Sequence, residues 1–205
     1  MNIMRMLLPF ALLAATACST AFALPPDPPN TASAVFAGGC FWCIEADFEK
    51  LDGVLTVVSG YAGGPEKNPS YKQVSAGSTG HTEVVRVVYD PKKVTYLKLV
   101  DFFFRHIDPT TKNSSFCDFD TQYRTAIFYG SAAEKSIADQ AKKDIDASKQ
   151  LPAPVVTEIT QAGEFWPAED YHQDYYKKSP GSYASYRAGC RRDARVQELW
   201  GQSAR

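Results

Sequence analysis

The sequence predicts an α+β sandwich, with helices packed on a mixed or antiparallel sheet. Three observations predict it. Segments alternate as strand–helix–strand, strand–helix–strand, then helix–strand. Stretch 83–89 has a period of two, which puts Glu83, Val85 and Val87 on one face. Leu97, Val100, Phe104 and Ile107 recur at helical spacing and form a stripe. With no internal repeat, the 205 residues suit one domain behind a processed N-terminus.

Taken in order, residues 1–23 read as an export signal. Arg5 is the positive n-region, the apolar run 7–17 is too short to span a membrane, and Ala21-Phe22-Ala23 is a small-x-small cleavage site. Soluble export, to the periplasm, is the reading taken. Lipoprotein cleavage before Cys18 is the alternative, and Ala15-Thr16-Ala17 matches it poorly. Residues 24–31 are Pro-rich and are expected to be a disordered lead-in. A single domain, 32–205, follows.

Its first strand is 32–37 and its first helix 40–51, where Phe41, Ile44, Phe48 and Leu51 share a face. A strand at 54–59 leads into a Gly- and Pro-rich loop, 61–80, which is expected to help form a site. Strand 83–89 stops at Asp90-Pro91, helix 95–107 follows, and loop 108–121 leads to strand 123–129. Ser131 with Glu134 reads as a capping box opening a helix to 149. A strand at 154–160, a short aromatic helix at 169–178 and a flexible Gly- and Arg-containing tail complete the chain.

The net charge is −1 and no basic stripe appears, which argues against nucleic acid as a partner. Cys40, Cys43, Cys117 and Cys190 remain after export. A domain of this size needs no disulfide to fold, so these thiols suggest redox chemistry, structural bridges or one of each. Gly39-Cys40-Phe41-Trp42-Cys43 sits between a strand and a helix. A helix N-terminus favours negative charge, so Cys40 is expected to lean toward thiolate. Phe41 and Trp42 beside it suggest a pocket for a partly apolar substrate. Ile44 rather than His after Cys43 excludes a c-type haem site. His81, His106 and His172 lack metal-ligand spacing, and packed or hydrogen-bonded histidines are expected instead.

Further polar clusters are Asn68-Pro69-Ser70-Tyr71, Gly80-His81-Thr82-Glu83, Cys117-Asp118-Phe119-Asp120-Thr121-Gln122-Tyr123-Arg124, and the run from Glu169 to Tyr176. Gly-Cys-Phe-Trp, Gly-His-Thr-Glu, Thr-Gln-Tyr-Arg and Ala-Glu-Asp-Tyr-His-Gln-Asp-Tyr occur here in the order of the peptide methionine sulfoxide reductase A family. Over about residues 35–178 the chain resembles that family. The resemblance implies a ferredoxin-like α+β fold and reduction of the S-epimer of methionine sulfoxide, free or in proteins. It also implies no metal or organic cofactor, a thioredoxin-like reductant, and a chain acting as a monomer. It assigns Cys40 as nucleophile, Glu83 as acid, Tyr71 and Tyr123 as hydroxyl donors, and Asp118 as a residue holding the site. Phe41 and Trp42 become the pocket for the S-methyl group.

The chemistry agrees, because sulfoxide reduction needs a thiolate, an acid for the departing oxygen and donors to hold it. Burial of Glu83 would raise its pKa and keep it protonated. The sulfenic acid left on Cys40 needs a second thiol. Cys190, in a Gly-flanked tail, is the choice for that role, with Cys43 the alternative. Cys117 and Asp120 depart from the family pattern. Cys117 is expected to be inert, because the adjacent Asp118 carboxylate raises a thiol pKa. Two other readings stand beside this one: a thiol–disulfide oxidoreductase using Cys40-Cys43, and an exported binding module with two structural disulfides.

Overall fold

The structure, a computed structural model, describes residues 24–201. The expected export signal, its cleavage site and Cys18 lie outside the described residues. The core is a βαββαβ unit: β1 (Ala32–Gly38), α1 (Phe41–Phe48), β2 (Val54–Ala62), β3 (Thr82–Tyr89), α3 (Tyr96–Arg105) and β6 (Thr125–Tyr129). A short helix, α2 (Tyr71–Ser75), lies between β2 and β3, and a two-strand ladder, β4 (Ser114–Ser115) with β5 (Asp118–Phe119), precedes β6. Then follow α4 (Ala132–Ser148), β7 (Glu158–Gln161), β8 (Trp166–Pro167), α5 (Tyr175–Lys178), α6 (Pro180–Gly189) and α7 (Arg192–Trp200).

The main sheet runs β7-β6-β1-β3-β2-β8. Its central four strands are antiparallel in the split order of a ferredoxin-like fold. At one edge β7 joins β6 in parallel, and β8 closes the other edge antiparallel to β2. A parallel neighbour needs a crossover connection, and α4 supplies it. The sheet is therefore mixed.

Alternation puts Phe36, Val57, Val85 and Val87 on the helix side, packed with Phe41, Ile44 and Phe48 of α1 and Leu99, Val100 and Phe103 of α3. Ala37, Ala62, Val84, Ala126 and Phe128 form a smaller apolar layer on the other side. Ser131 caps α4, accepting from the Glu134 N–H at 3.2 Å, but the return bond of the expected box is displaced by one residue: Glu134 Oε2 accepts the Gly130 N–H at 2.6 Å.

Several boundaries differ from the sequence reading. Loop 61–80 contains α2, opened by a reciprocal capping box between Ser70 and Gln73. Tyr123 belongs to a 3-10 turn, Thr121–Tyr123, rather than to the following strand. The stretch 169–178 breaks at Asp174, whose φ is 53°, into a 3-10 turn and α5. The expected flexible tail is two docked helices. Pro180 starts α6 at a position where its missing N–H costs nothing, and Val196, Leu199 and Trp200 of α7 are buried in the core.

Candidate active site

The turn from β1 into α1 sets the position of Cys40. Gly39 has φ +81°, and a Cβ there would lie 2.5 Å from the Ser115 side chain, so glycine is required. Cys40 then caps α1 with non-helical backbone, and its own side chain makes no capping bond. Glu83, at the start of β3, does this instead: its Oε2 accepts the Phe41 N–H at 3.0 Å. One hydrogen bond thus fixes a buried carboxyl one residue from the candidate nucleophile. Desolvation pushes Glu83 up to about 8, against the Phe41 hydrogen bond, so it holds a proton at neutral pH.

Tyr71 and Tyr123 come from separate elements. Tyr71 opens α2, and its N–H donates to Glu169 Oε1 at 2.9 Å, while Tyr61 donates to Glu169 Oε2 at 2.8 Å. Tyr123 is held by its neighbour Gln122, which donates to Ser75 O and accepts from Thr82 Oγ1, next to Glu83. Burial raises both phenols, Tyr71 to about 12, and each also feels the charges of Glu83, Asp118 and Cys40. The structure therefore brings Cys40, Glu83, Tyr71, Tyr123 and Asp118 into one cluster.

Phe41 is buried against Tyr61 and His172, and Trp42 stacks on Tyr175 with ring centroids 3.8 Å apart. The Trp42 indole donates to His172 Nδ1 at 3.0 Å, so the His172 proton sits on Nε2, and desolvation lowers this imidazole to about 4. His81 bridges the Gly64 N–H and the Glu66 carbonyl, and His106 bonds the Phe102 carbonyl. All three histidines are packed and hydrogen-bonded.

The thiols depart from expectation in three ways. Burial, Cys43 and the Glu83 charge push the Cys40 thiol well up, so the helix terminus alone does not hold it as thiolate. Cys43, by contrast, is brought to about 7 by a hydrogen bond from Cys40 and the charges of Arg192 and Arg187, against its burial. Cys117 is not an isolated inert thiol but is bonded to Cys190, with Cα atoms 4.9 Å apart. Left-handed turns at Phe116 and Arg191, φ 57° and 52°, bring the two together. Cys190 is therefore not free to reach Cys40, whereas Cys40 and Cys43 are free thiols. One disulfide and one dithiol replace the two bridges of a purely structural module. Among the described residues Cys117, Asp118 and Cys190 cluster as metal donors would, but the disulfide occupies both sulfurs.

Tyr186 on α6 was not singled out from the sequence. Its hydroxyl donates to Asp118 Oδ2 at 2.5 Å and bonds the Cys40 sulfur. Glu169, Arg187 and Arg192 were also missed as supports. Arg187 meets Asp47 of α1 at 3.0 Å, and the fully buried Arg192 donates to Gly38 O and His106 O. Glu169 lay inside a motif already noticed, but a lone Tyr in a Gly-flanked stretch carried no signal.

A buried dithiol at a helix start, faced by a protonated acid and two phenols on a ferredoxin-like sheet, defines a thiol-dependent oxidoreductase acting on a substrate oxygen. The peptide methionine sulfoxide reductase family model matches residues 32–204, and the chain belongs to that family. It is 52% identical over 172 residues to the peptide methionine sulfoxide reductase MsrA/MsrB of Vibrio cholerae, covering 84% of this chain and 46% of that one. The chain thus spans about half the length of that relative. MsrA 2 of Rhizobium meliloti is 46% identical over 181 residues, covering 88% of this chain and 89% of its own. Among solved structures, Mxr1 from Saccharomyces cerevisiae in reduced form superposes with a TM-score of 0.71 at 37% identity, over 76% of this chain and 89% of that one. Mxr1 in complex with Trx2 superposes at 0.51 and 26% identity, over 74% and 89%.

Proposed function

We propose that this protein reduces the S-epimer of methionine sulfoxide, free or in proteins, and is recycled by a thioredoxin-like dithiol donor. The observation that carries this is the Phe41 N–H to Glu83 bond, which sets a protonated carboxyl beside the Cys40 sulfur. Family membership and the Mxr1–Trx2 complex support the substrate and the donor.

Cys40, as thiolate, attacks the sulfoxide sulfur. Glu83 gives its proton to the oxygen while the Tyr71 and Tyr123 hydroxyls hold that oxygen. Oxygen passes to Cys40, leaving Cys40–SOH and methionine. Phe41 and Trp42 offer an apolar wall for the S-methyl group. Cys43 is the resolving thiol in this scheme, because it is free and hydrogen-bonded to Cys40 while Cys190 is bonded elsewhere. Its sulfur displaces water from Cys40–SOH, forming the Cys40–Cys43 disulfide, which the donor dithiol reduces by exchange.

The thiol pair alone would also suit a thiol–disulfide oxidoreductase, but that reading gives no work to Glu83, Tyr71 or Tyr123. Export through residues 1–23 and action as a monomer complete the proposal. Cell fractionation and light scattering test these two points.

Thioredoxin-driven turnover tests the thiol assignment. Cys43→Ser should stop after one turnover with Cys40 as sulfenic acid, trapped and identified by mass spectrometry. Cys190→Ser should keep turning over. The reverse pattern would return the resolving role to Cys190.

A further inference from the structure

Cys40 must lose a proton before it attacks, and three features oppose this: it is buried, its neighbour Glu83 is an acid rather than a base, and Cys43 raises its pKa. The groups facing its sulfur are Cys43, Glu83 and Tyr186, with the Tyr71 and Tyr123 phenols and the Asp118 carboxyl in the surrounding shell. Of these, only one chain of hydrogen bonds ends on a carboxylate that is not already assigned as the acid. It runs from the Cys40 sulfur, which the Tyr186 hydroxyl faces, to Asp118 Oδ2, which accepts that hydroxyl at 2.5 Å.

We propose that Tyr186 is a catalytic residue that carries the Cys40 proton to Asp118. The inference rests on the reductase reading given above. In the step, the Cys40 S–H passes its proton to the Tyr186 oxygen as the Tyr186 O–H passes its own to Asp118 Oδ2. A thiol and a carboxylate become a thiolate and a carboxylic acid, Tyr186 is regenerated, and no net charge enters the site. The phenol then donates to the sulfur it has just deprotonated.

The surroundings fit that task. Asp118 is half-buried, and its desolvation raises its affinity for a proton, while the Tyr186 bond, Arg192 and the Cys40 N–H act the other way. The Tyr186 ring is fixed edge-on to Trp42, at 5.8 Å and 81°. The disulfide ties the two ends of the bridge together. Cys117 directly precedes Asp118, and Cys190 caps the helix that carries Tyr186, one turn along. Glu83 and Asp118 thereby take opposite roles, one giving a proton to the oxygen and the other receiving one from the thiol.

Cys43 is the rival acceptor, because its own sulfur bonds Cys40. The test is the single-turnover rate of methionine formation without reductant, measured from pH 6 to 9 for the unmodified enzyme, Tyr186→Phe, Asp118→Asn and the double variant. Comparing each variant with the unmodified enzyme at the same pH cancels the titration of Glu83. Tyr186→Phe should be about 10²-fold slower at neutral pH, the lower end for a lost acid–base group. That ratio should shrink as pH rises and solvent takes over the deprotonation. Asp118→Asn should lose about as much, and the double variant no more than either, because the two act as one relay. Iodoacetamide labelling of Cys40 should move to higher pH in Tyr186→Phe, which loses the phenol that favours the thiolate.

A Tyr186→Phe rate and labelling profile within twofold of the unmodified enzyme would overturn the proposal. So would losses that multiply in the double variant. In a Cys43→Ser background, an effect of Tyr186→Phe that vanishes would assign the proton to Cys43 instead. An unmodified enzyme that forms no methionine would sink the reductase reading, whereas an active enzyme indifferent to Tyr186 sinks only this one.

Discussion

At the scale of single residues, the proposed reaction divides its chemistry between Cys40 and Glu83, both of them buried. Cys40→Ser should abolish methionine formation with any reductant, because a hydroxyl is a far weaker nucleophile at neutral pH. A retained tenth of the rate, by direct product assay, would remove Cys40 from the role. In the proposed step Glu83 gives a proton to the departing oxygen, so it must enter the step protonated. With its pKa at about 8, the turnover rate should fall about tenfold per pH unit above that value. Glu83→Gln should lose that alkaline limb and about 10²–10⁴ of the rate, with the loss shrinking at low pH as solvent supplies the proton. The period-two pattern of 83–89 made Glu83 legible, since it shares a face with Val85 and Val87, both buried in the helix-side core. Tyr186 was not legible. Its partners come from α1 and β5, more than 60 residues away, and no local pattern records such contacts.

Among the elements, α1 carries two buried acids, Glu45 and Asp47. Glu45 is buried, accepts the Asp174 N–H at 3.2 Å, and is raised to about 8, chiefly by desolvation. In the folded protein it stays protonated to about pH 8, while unfolded it ionises near the ordinary 4.5. The unfolded state therefore binds fewer protons between those values, and this residue's contribution to stability falls as pH rises across the window. Glu45→Gln, which copies the protonated acid, should raise the melting temperature at pH 8 by more than at pH 5. Equal shifts at both values would place an ionised carboxylate there.

Strands 32–37, 54–59 and 83–89 and the helix at 95–107 were readable from their periods and stop signals, and Ser131 with Glu134 marked the helix to 149, whereas the two-residue strands β4, β5 and β8 are too short to show a period. The C-terminal helices were misread because Gly181, Gly189 and Pro180 look like loop punctuation. The i, i+3, i+4 spacing of Val196, Leu199 and Trp200 was the available signal. Trp200 is buried and donates to the Ile107 carbonyl at 3.1 Å. Trp200→Ala should destabilise the fold by about 3–5 kcal/mol in urea unfolding, the usual cost of emptying a large core site. A loss under about 1 kcal/mol would mean that α7 is not part of the core.

Over the whole molecule, the ferredoxin-like sheet holds its first helix start, its third strand and a loop after β2 at one place, and the C-terminal helices close over it. That closure brings Tyr186 onto Cys40, Arg187 and Arg192 onto Asp47, and Cys190 onto Cys117. The sequence order of its motifs pointed to the family and to the five clustered side chains. The pairing of its cysteines was not readable, since four cysteines allow three pairings and one free dithiol allows more. The central claim is that this cluster reduces one epimer of methionine sulfoxide. Its most direct test is turnover of the two separated epimers with dithiothreitol as reductant. The account predicts steady conversion of the S-epimer to methionine and almost none of the R-epimer. Comparable turnover of both, or preference for the R-epimer, would contradict it.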